Sequence, residues 1–134
     1  MSKSKVLLVI TVGRLALVSL FFLGGINKLI NYGATLEAMS RVGLPIAEAI
    51  LPIVIFLELA GAIAVAVGGR LSVIAASTLA LFTVATNFVF HDFWNMTDQR
   101  ATLELSLFFK NIAIAGALAF CAGVSIREQN DPSC

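Results

Sequence analysis

Several side chains that could do chemistry stand inside or at the edges of long apolar runs. Arg14, Glu58, Glu104 and Lys110 interrupt those runs, and Asn87, His91, Asp92 and Trp94 cluster where one of them ends. Ionisable groups in hydrocarbon are costly, so they face a partner or a cavity. Arg14 lies about 12 Å from the start of its run and Glu58 about 15 Å from the end of the next, at 1.5 Å per residue. Matched depth predicts an Arg14–Glu58 ion pair between adjacent antiparallel helices. Such a pair would lock helix register; the alternative is proton handling, with Glu58 as carrier.

The second polar group is expected at the other end of the bundle. Asn27 and Lys28 end the first helix, Asn87, His91 and Asp92 end the third with Trp94 just beyond, and Glu104, Lys110 and Asn111 occupy the facing half of the fourth. Lys110 lies about 12 Å below its helix start, deeper than a snorkelling lysine needs to be. Glu104 and Lys110, six apart, point to different faces and need separate partners. Asn87, His91, Trp94, Asp92, Glu104 and Lys110 are therefore expected to line an outer pocket, or else to close the bundle as an interfacial network. Donors at interfacial depth beside aromatic walls suit a quinone carbonyl.

His91 is the single histidine. With so few ligands of the right kind, no metal or haem site is expected from this chain alone. No phosphate loop or nucleotide fingerprint occurs. Any redox cofactor would be lipid-soluble, such as quinone, or belong to a partner.

The elements that must position these groups are membrane helices. Hydrophobic residues make up 59% of the 134-residue chain and charged residues 13%, about half the usual charged share. A span needs roughly 20 apolar residues. Four stretches qualify, at about 6–30, 45–67, 71–90 and 102–126, and none alternates with the period of a membrane barrel strand. The first run far exceeds the roughly 7–15 residues of a signal-peptide core, so it is expected to be a retained helix. The expectation is a single all-α domain, an up-down bundle of four transmembrane helices with both termini on the same side.

The connections add detail. A short interfacial helix is expected at about 35–43, capped by Thr35 and stopped by Gly43, with Leu36 and Met39 on the membrane surface. Pro45 is expected to open the second span. Small-residue stripes, Ala60-Ala64-Gly68 and Ala115-Ala119-Gly123, predict close helix packing. Lys3, Lys5, Arg70 and Arg127 flank one side; Lys28, Arg41 and Arg100 flank the other. That bias puts both termini in the cytoplasm. With a formal net charge of +1, no nucleic-acid partner is indicated. The expected partners are the lipid bilayer and other membrane subunits or further copies of the chain.

Gly13-Arg14-Leu15, leading through Phe21-Phe22-Leu23-Gly24-Gly25 to Lys28-Leu29, resembles the opening helix of the DoxX family of small bacterial membrane proteins. Met39, then Gly43-Leu44-Pro45 and Glu58, resembles the family's first connection and second helix. Phe90-His91-Asp92-Phe93-Trp94, Lys110-Asn111 and Gly116 continue the likeness, which spans roughly residues 13–120. The resemblance implies a four-helix protein of the bacterial inner membrane. One relative is the small membrane subunit of a thiosulfate:quinone oxidoreductase, and others are associated with thiol-redox and oxidative-stress assemblies. This sequence is of the short, DoxX-only type, with no attached substrate domain expected. The functional expectation is an accessory subunit of a membrane redox complex contributing to a quinone site. The alternative is a non-catalytic structural or assembly subunit.

Overall fold

The computed structural model describes residues 2–130. Five α-helices follow one another: α1 (Lys3–Ile30), α2 (Tyr32–Arg41), α3 (Ala47–Val67), α4 (Gly69–Phe90) and α5 (Gln99–Asn130), with a 3₁₀ turn at Phe93–Asn95 before the last. All but α2 are long and apolar enough to cross a membrane. Many of their large apolar side chains, among them Leu8, Leu23, Phe56, Leu81 and Phe120, point outward. That surface is impossible in water and natural in lipid, where every backbone group must be satisfied within the helix.

Chain order sets the packing. α1 lies on α3, α3 on α4, and α4 on α5 most extensively, while α5 touches α1 only sparsely. Arg14 of α1 meets Glu128 of α5, so the start of the first span and the end of the last share one end of the bundle. The α3–α4 turn sits at that end too. Its residues Gly68 and Gly69 have φ of 87° and 71°, a left-handed conformation that glycine adopts without steric cost.

A small core fills that half: Val18 and Phe21 from α1, Ala62 and Val65 from α3, Ala76 and Leu79 from α4, Leu118 and Ala122 from α5. Lipid tails are as apolar as these side chains, so close packing, and not removal from water, holds them together. Gly25 shows how tight the fit is. A Cβ there would stand 2.8 Å from Leu59, so the missing side chain is what lets α1 reach α3.

A second cluster, Met39, Ala47, Leu51 and Ile55, lies at the other end, with Leu36, Tyr32 and Phe90 against it. Leu36 and Met39 thus pack inward on α3 rather than lying on the membrane surface. Thr35 is not the cap of α2: the helix starts at Tyr32, and the Thr35 hydroxyl donates to the Asn31 carbonyl. Gly43 takes the left-handed conformation expected of it, but so does Ile46, with φ of 49°. That turn delays α3 to Ala47. On α5 the expected stripe is only partly used, since Ala115 is buried while Ala119 and Gly123 are exposed.

Candidate functional site

α3 and α4 are pressed together where Gly61 meets Leu79. Toward the other end they flank a half-open cavity of about 460 Å³, bounded also by α1 and α2. Its walls are apolar: Met39, Leu44, Ile50, Leu51 and Val54 on one side, Phe82, Ala85, Val89 and Phe90 on the other. Polar groups border it at a few points only. Lys28 and Glu58 lie together, His91 ends α4, and Thr35 and Thr86 complete the lining. Both threonine hydroxyls are spent on helix carbonyls.

Lys28 and Glu58 form the principal polar feature. Lys28 Nζ donates to both Glu58 carboxylate oxygens at 2.9 Å. The Glu58 side chain is 7% exposed and that of Lys28 29%. An ammonium has three N–H donors, so one remains when the carboxylate has taken two. Gly24 leaves room for the pair, since a Cβ there would lie 3.6 Å from both Lys28 Nζ and Glu58 Oε2.

This overturns the expected Arg14–Glu58 pair. Gly25 packs against Leu59 and the Cβ of Glu58, which puts Glu58 roughly 16 Å along α1 from Arg14. Arg14 instead lies level with the α3–α4 turn, where a Cβ on Gly68 would come within 3.0 Å of its Nη1. Its Nη2 donates to Ser125 Oγ at 2.9 Å and to Glu128 Oε2 at 2.5 Å. Ser125 Oγ is also 3.1 Å from the Ser72 hydroxyl. Arg14 Nε is buried without a partner among the described residues. Depth counted from each helix's own apolar start misleads here, because α1 runs well past the turn.

The expected outer pocket does not form as a unit. Asn87 is fully buried between α4 and α5. It donates to the Phe108 carbonyl at 3.0 Å and accepts from Asn111 at 3.1 Å, a clasp that commits both ends of its amide. Lys110 is exposed on α5, turned away from the cavity, and has no hydrogen-bond or ion-pair partner among the described residues. Because Asn111 meets Asn87, Lys110 lies about one turn below the end of α4, within reach of the interface. Counting from the start of α5 overstates its depth, because α5 begins beyond the end of α4.

The remaining members of that group divide. His91 Nδ1 lies 2.6 Å from Glu104 Oε2, and His91 is one of the residues that border the cavity. Asp92 accepts from Asn95 at 3.2 Å. Trp94 is half exposed and joins an aromatic cluster, its ring centroid 6.1 Å from Phe88, 5.1 Å from Phe93 and 5.9 Å from Phe108. Of the expected pocket, then, His91 alone reaches the cavity, with Glu104 behind it. Among the described residues no three His, Cys, Asp or Glu side chains gather as a metal site would require.

Sequence reasoning placed Lys28 in the outer polar group but missed it as the partner of Glu58, and missed Glu128 as the partner of Arg14. Lys28 sits at a helix end, where snorkelling outward is the default. The signal against that default was Gly24-Gly25 one turn earlier, which marks a close approach to α3. Glu128 lies beyond the expected end of the last span.

Comparison with known proteins places this architecture. The DoxX family model matches residues 9–92, a stretch that runs from α1 to Asp92 and includes every residue lining the cavity. Over 111 residues the chain is 27% identical to inner membrane protein YphA of Escherichia coli K12, covering 83% of this chain and 79% of that one. Over 113 residues it is 33% identical to inner membrane protein YqjF of the same organism, covering 84% and 81%. No solved structure matches.

Proposed function

This chain belongs to the DoxX family, and from that footing we propose that it is an accessory subunit of a membrane redox complex, contributing a site for a quinone-type ligand. That it is a multi-pass inner-membrane protein is supported by its spans and its relatives. The observation that carries the proposal is the cavity between α1, α2, α3 and α4. Its volume of about 460 Å³ falls in the range of small-molecule sites, which are mostly apolar with a few placed polar groups. It lies half open among three membrane-spanning helices and α2, at a depth suited to a lipid-soluble molecule.

The chemistry of the site agrees with such a ligand. A quinone head has flat apolar faces and carbonyl oxygens that accept hydrogen bonds. Phe82, Val54 and Leu51 provide apolar walls, and the third N–H of Lys28 provides a donor. Glu58 holds that ammonium in place and neutralises it, so the site presents a donor without net charge. The chain's own residues bind and orient; electrons would come from and go to the partner subunits.

The test combines binding and co-purification. The purified chain in nanodiscs should bind decylubiquinone, Lys28→Met should weaken binding about tenfold or more, and Val54→Trp, which fills the cavity, should abolish it. A redox enzyme should travel with the chain from native membranes in mild detergent. Absence of saturable binding, or binding untouched by Val54→Trp, sinks the quinone reading.

A second reading, a purely structural subunit, is favoured by one observation. The outward face of α5 carries Lys110 among Phe109 and Ile112, with no partner for its charge among the described residues. A carboxylate on a neighbouring subunit, or a lipid head group, would pair it. Retention of the partner complex by Lys28→Met and its loss in Lys110→Met would favour this reading.

A further inference from the structure

Among the described residues His91 both borders the cavity and pairs with a carboxylate outside it. Its Nδ1 is 2.6 Å from Glu104 Oε2, across the α4–α5 contact. Glu104 is not among the cavity's lining residues, whereas His91 is. Among the described residues nothing hydrogen-bonds to the other ring nitrogen, Nε2. A histidine with one nitrogen fixed by a carboxylate has its tautomer fixed as well. An ionised carboxylate only accepts, so the proton of a neutral imidazole resides on Nδ1. In that neutral form Nε2 keeps its lone pair and is the acceptor of a side chain that lines the cavity.

The cavity therefore has two unlike poles. At Lys28 it offers an N–H donor; at His91 it offers an acceptor. A quinone has only acceptor oxygens and satisfies the first pole but not the second. A quinol has hydroxyl groups, each of which both donates and accepts. One hydroxyl oxygen can accept from Lys28 Nζ while the hydroxyl at the far side of the ring donates to His91 Nε2.

We propose that the His91–Glu104 pair makes this cavity selective for the reduced, hydroxyl-bearing form of its ligand, a quinol or similar lipophilic phenol. His91 contacts the ligand, and Glu104 is a positioning residue that acts through the tautomer of His91. The inference rests on the cavity reading above and adds to it the oxidation state of the occupant. It requires no chemical step, only the pairing of one donor with one acceptor at each pole. Leaving Nε2 facing a carbonyl oxygen, acceptor against acceptor, forfeits a hydrogen bond and sets two lone pairs against each other. The preference for the quinol should be about tenfold, the size of one hydrogen bond.

The experiment measures equilibrium binding of three probes to the full chain in nanodiscs under anaerobic conditions. They are decylubiquinol, decylubiquinone and the dimethyl ether of decylubiquinol, which keeps the shape of the quinol but has no O–H. Wild-type protein should bind the quinol about tenfold more tightly than the quinone or the ether. His91→Phe should bind all three alike, at the wild-type affinity for quinone. Glu104→Gln, which can present an amide N–H to Nδ1 and reverse the tautomer, should narrow the preference while still binding quinone. If His91→Phe is unstable, the ether decides the matter on wild-type protein alone. Equal binding of quinol and ether, or tighter binding of quinone, overturns the inference and leaves the cavity reading standing. Failure of all three probes to bind, or binding unaffected by Val54→Trp, overturns the cavity reading itself.

Discussion

Among the described residues two interhelical ion pairs join α1 to other helices, and they differ in what surrounds them. Arg14 joins Glu128 in a nest closed by Ser125, Ser72 and the α3–α4 turn, with its side chain only 10% exposed. Lys28 joins Glu58 beside an apolar cavity, and its side chain is 29% exposed. Arg14 also borders a half-open cavity, of about 320 Å³ between α1 and α5, but its Nη2 is held by two acceptors, Ser125 Oγ and Glu128 Oε2. Lys28 stands beside the roomier cavity of about 460 Å³ and is held by the Glu58 carboxylate alone. Similar chemistry thus serves as a staple at one end of the bundle and as the lining of a site at the other. What separates them is the number of side chains that hold the cation and the size of the space beside it.

Breaking the staple should cost most. Glu128→Leu leaves a buried guanidinium without its counterion and should destabilise the bundle by roughly 3–5 kcal/mol, with much of that restored in the Arg14→Met, Glu128→Leu double variant. Unfolding in mixed micelles measures both. Lys28→Met should cost less, about 1–3 kcal/mol, because Glu58 can take up a proton and stay neutral beside the cavity. A cost for Lys28→Met as large as that for Glu128→Leu would erase the distinction between the two ends.

The helix approach that supports the Lys28–Glu58 pair can be tested separately. Gly25→Val places a Cβ 2.8 Å from Leu59 and should destabilise by about 1–3 kcal/mol through overpacking. Gly13→Ala, with nothing within 4 Å of the new Cβ, should fall within about 0.5 kcal/mol of wild type. Similar behaviour of the two would mean that α1 does not rest on α3 at Gly25.

The smallest effect is expected outside both regions, in the loop before α5. The Arg100 side chain, helped by its backbone N–H, holds the exposed Asp98 carboxyl below its ordinary value of 3.8. A lowered carboxylate pKa contributes stability above the unfolded value, and that contribution is lost as pH falls through the folded one. The loss is therefore confined to pH below about 3.8 and is small, because solvent screens the pair. A carboxyl NMR titration should move back toward the ordinary value in Arg100→Gln.

Much of the fold was legible in the sequence, because hydropathy over a span's length and glycine at a tight turn are local signals. Which charge meets which was not. The partner of Arg14 depended on how far α1 slides past α3, and that slide is set by Gly25 against Leu59, a contact between distant positions. The cavity was illegible for a related reason. It lies between α3 and α4 beyond the Gly61–Leu79 approach, and no periodicity in Phe82, Thr86 or Val54 marks such a space. His91 and Glu104 share a depth that the sequence does reveal, since each stands near the outer end of its helix. Asn87 stands there as well, but its amide is consumed by α5.

Photo-cross-linking with an azido-quinone tests most directly whether the ligand site lies between α1, α2, α3 and α4. Mass spectrometry of the cross-linked chain in nanodiscs should find label within 50–54 and 82–90, removed by excess unlabelled decylubiquinol. Label confined to the outward face of α5, at Phe109, Ile112 or Phe120, or label that excess quinol does not displace, would contradict that placement.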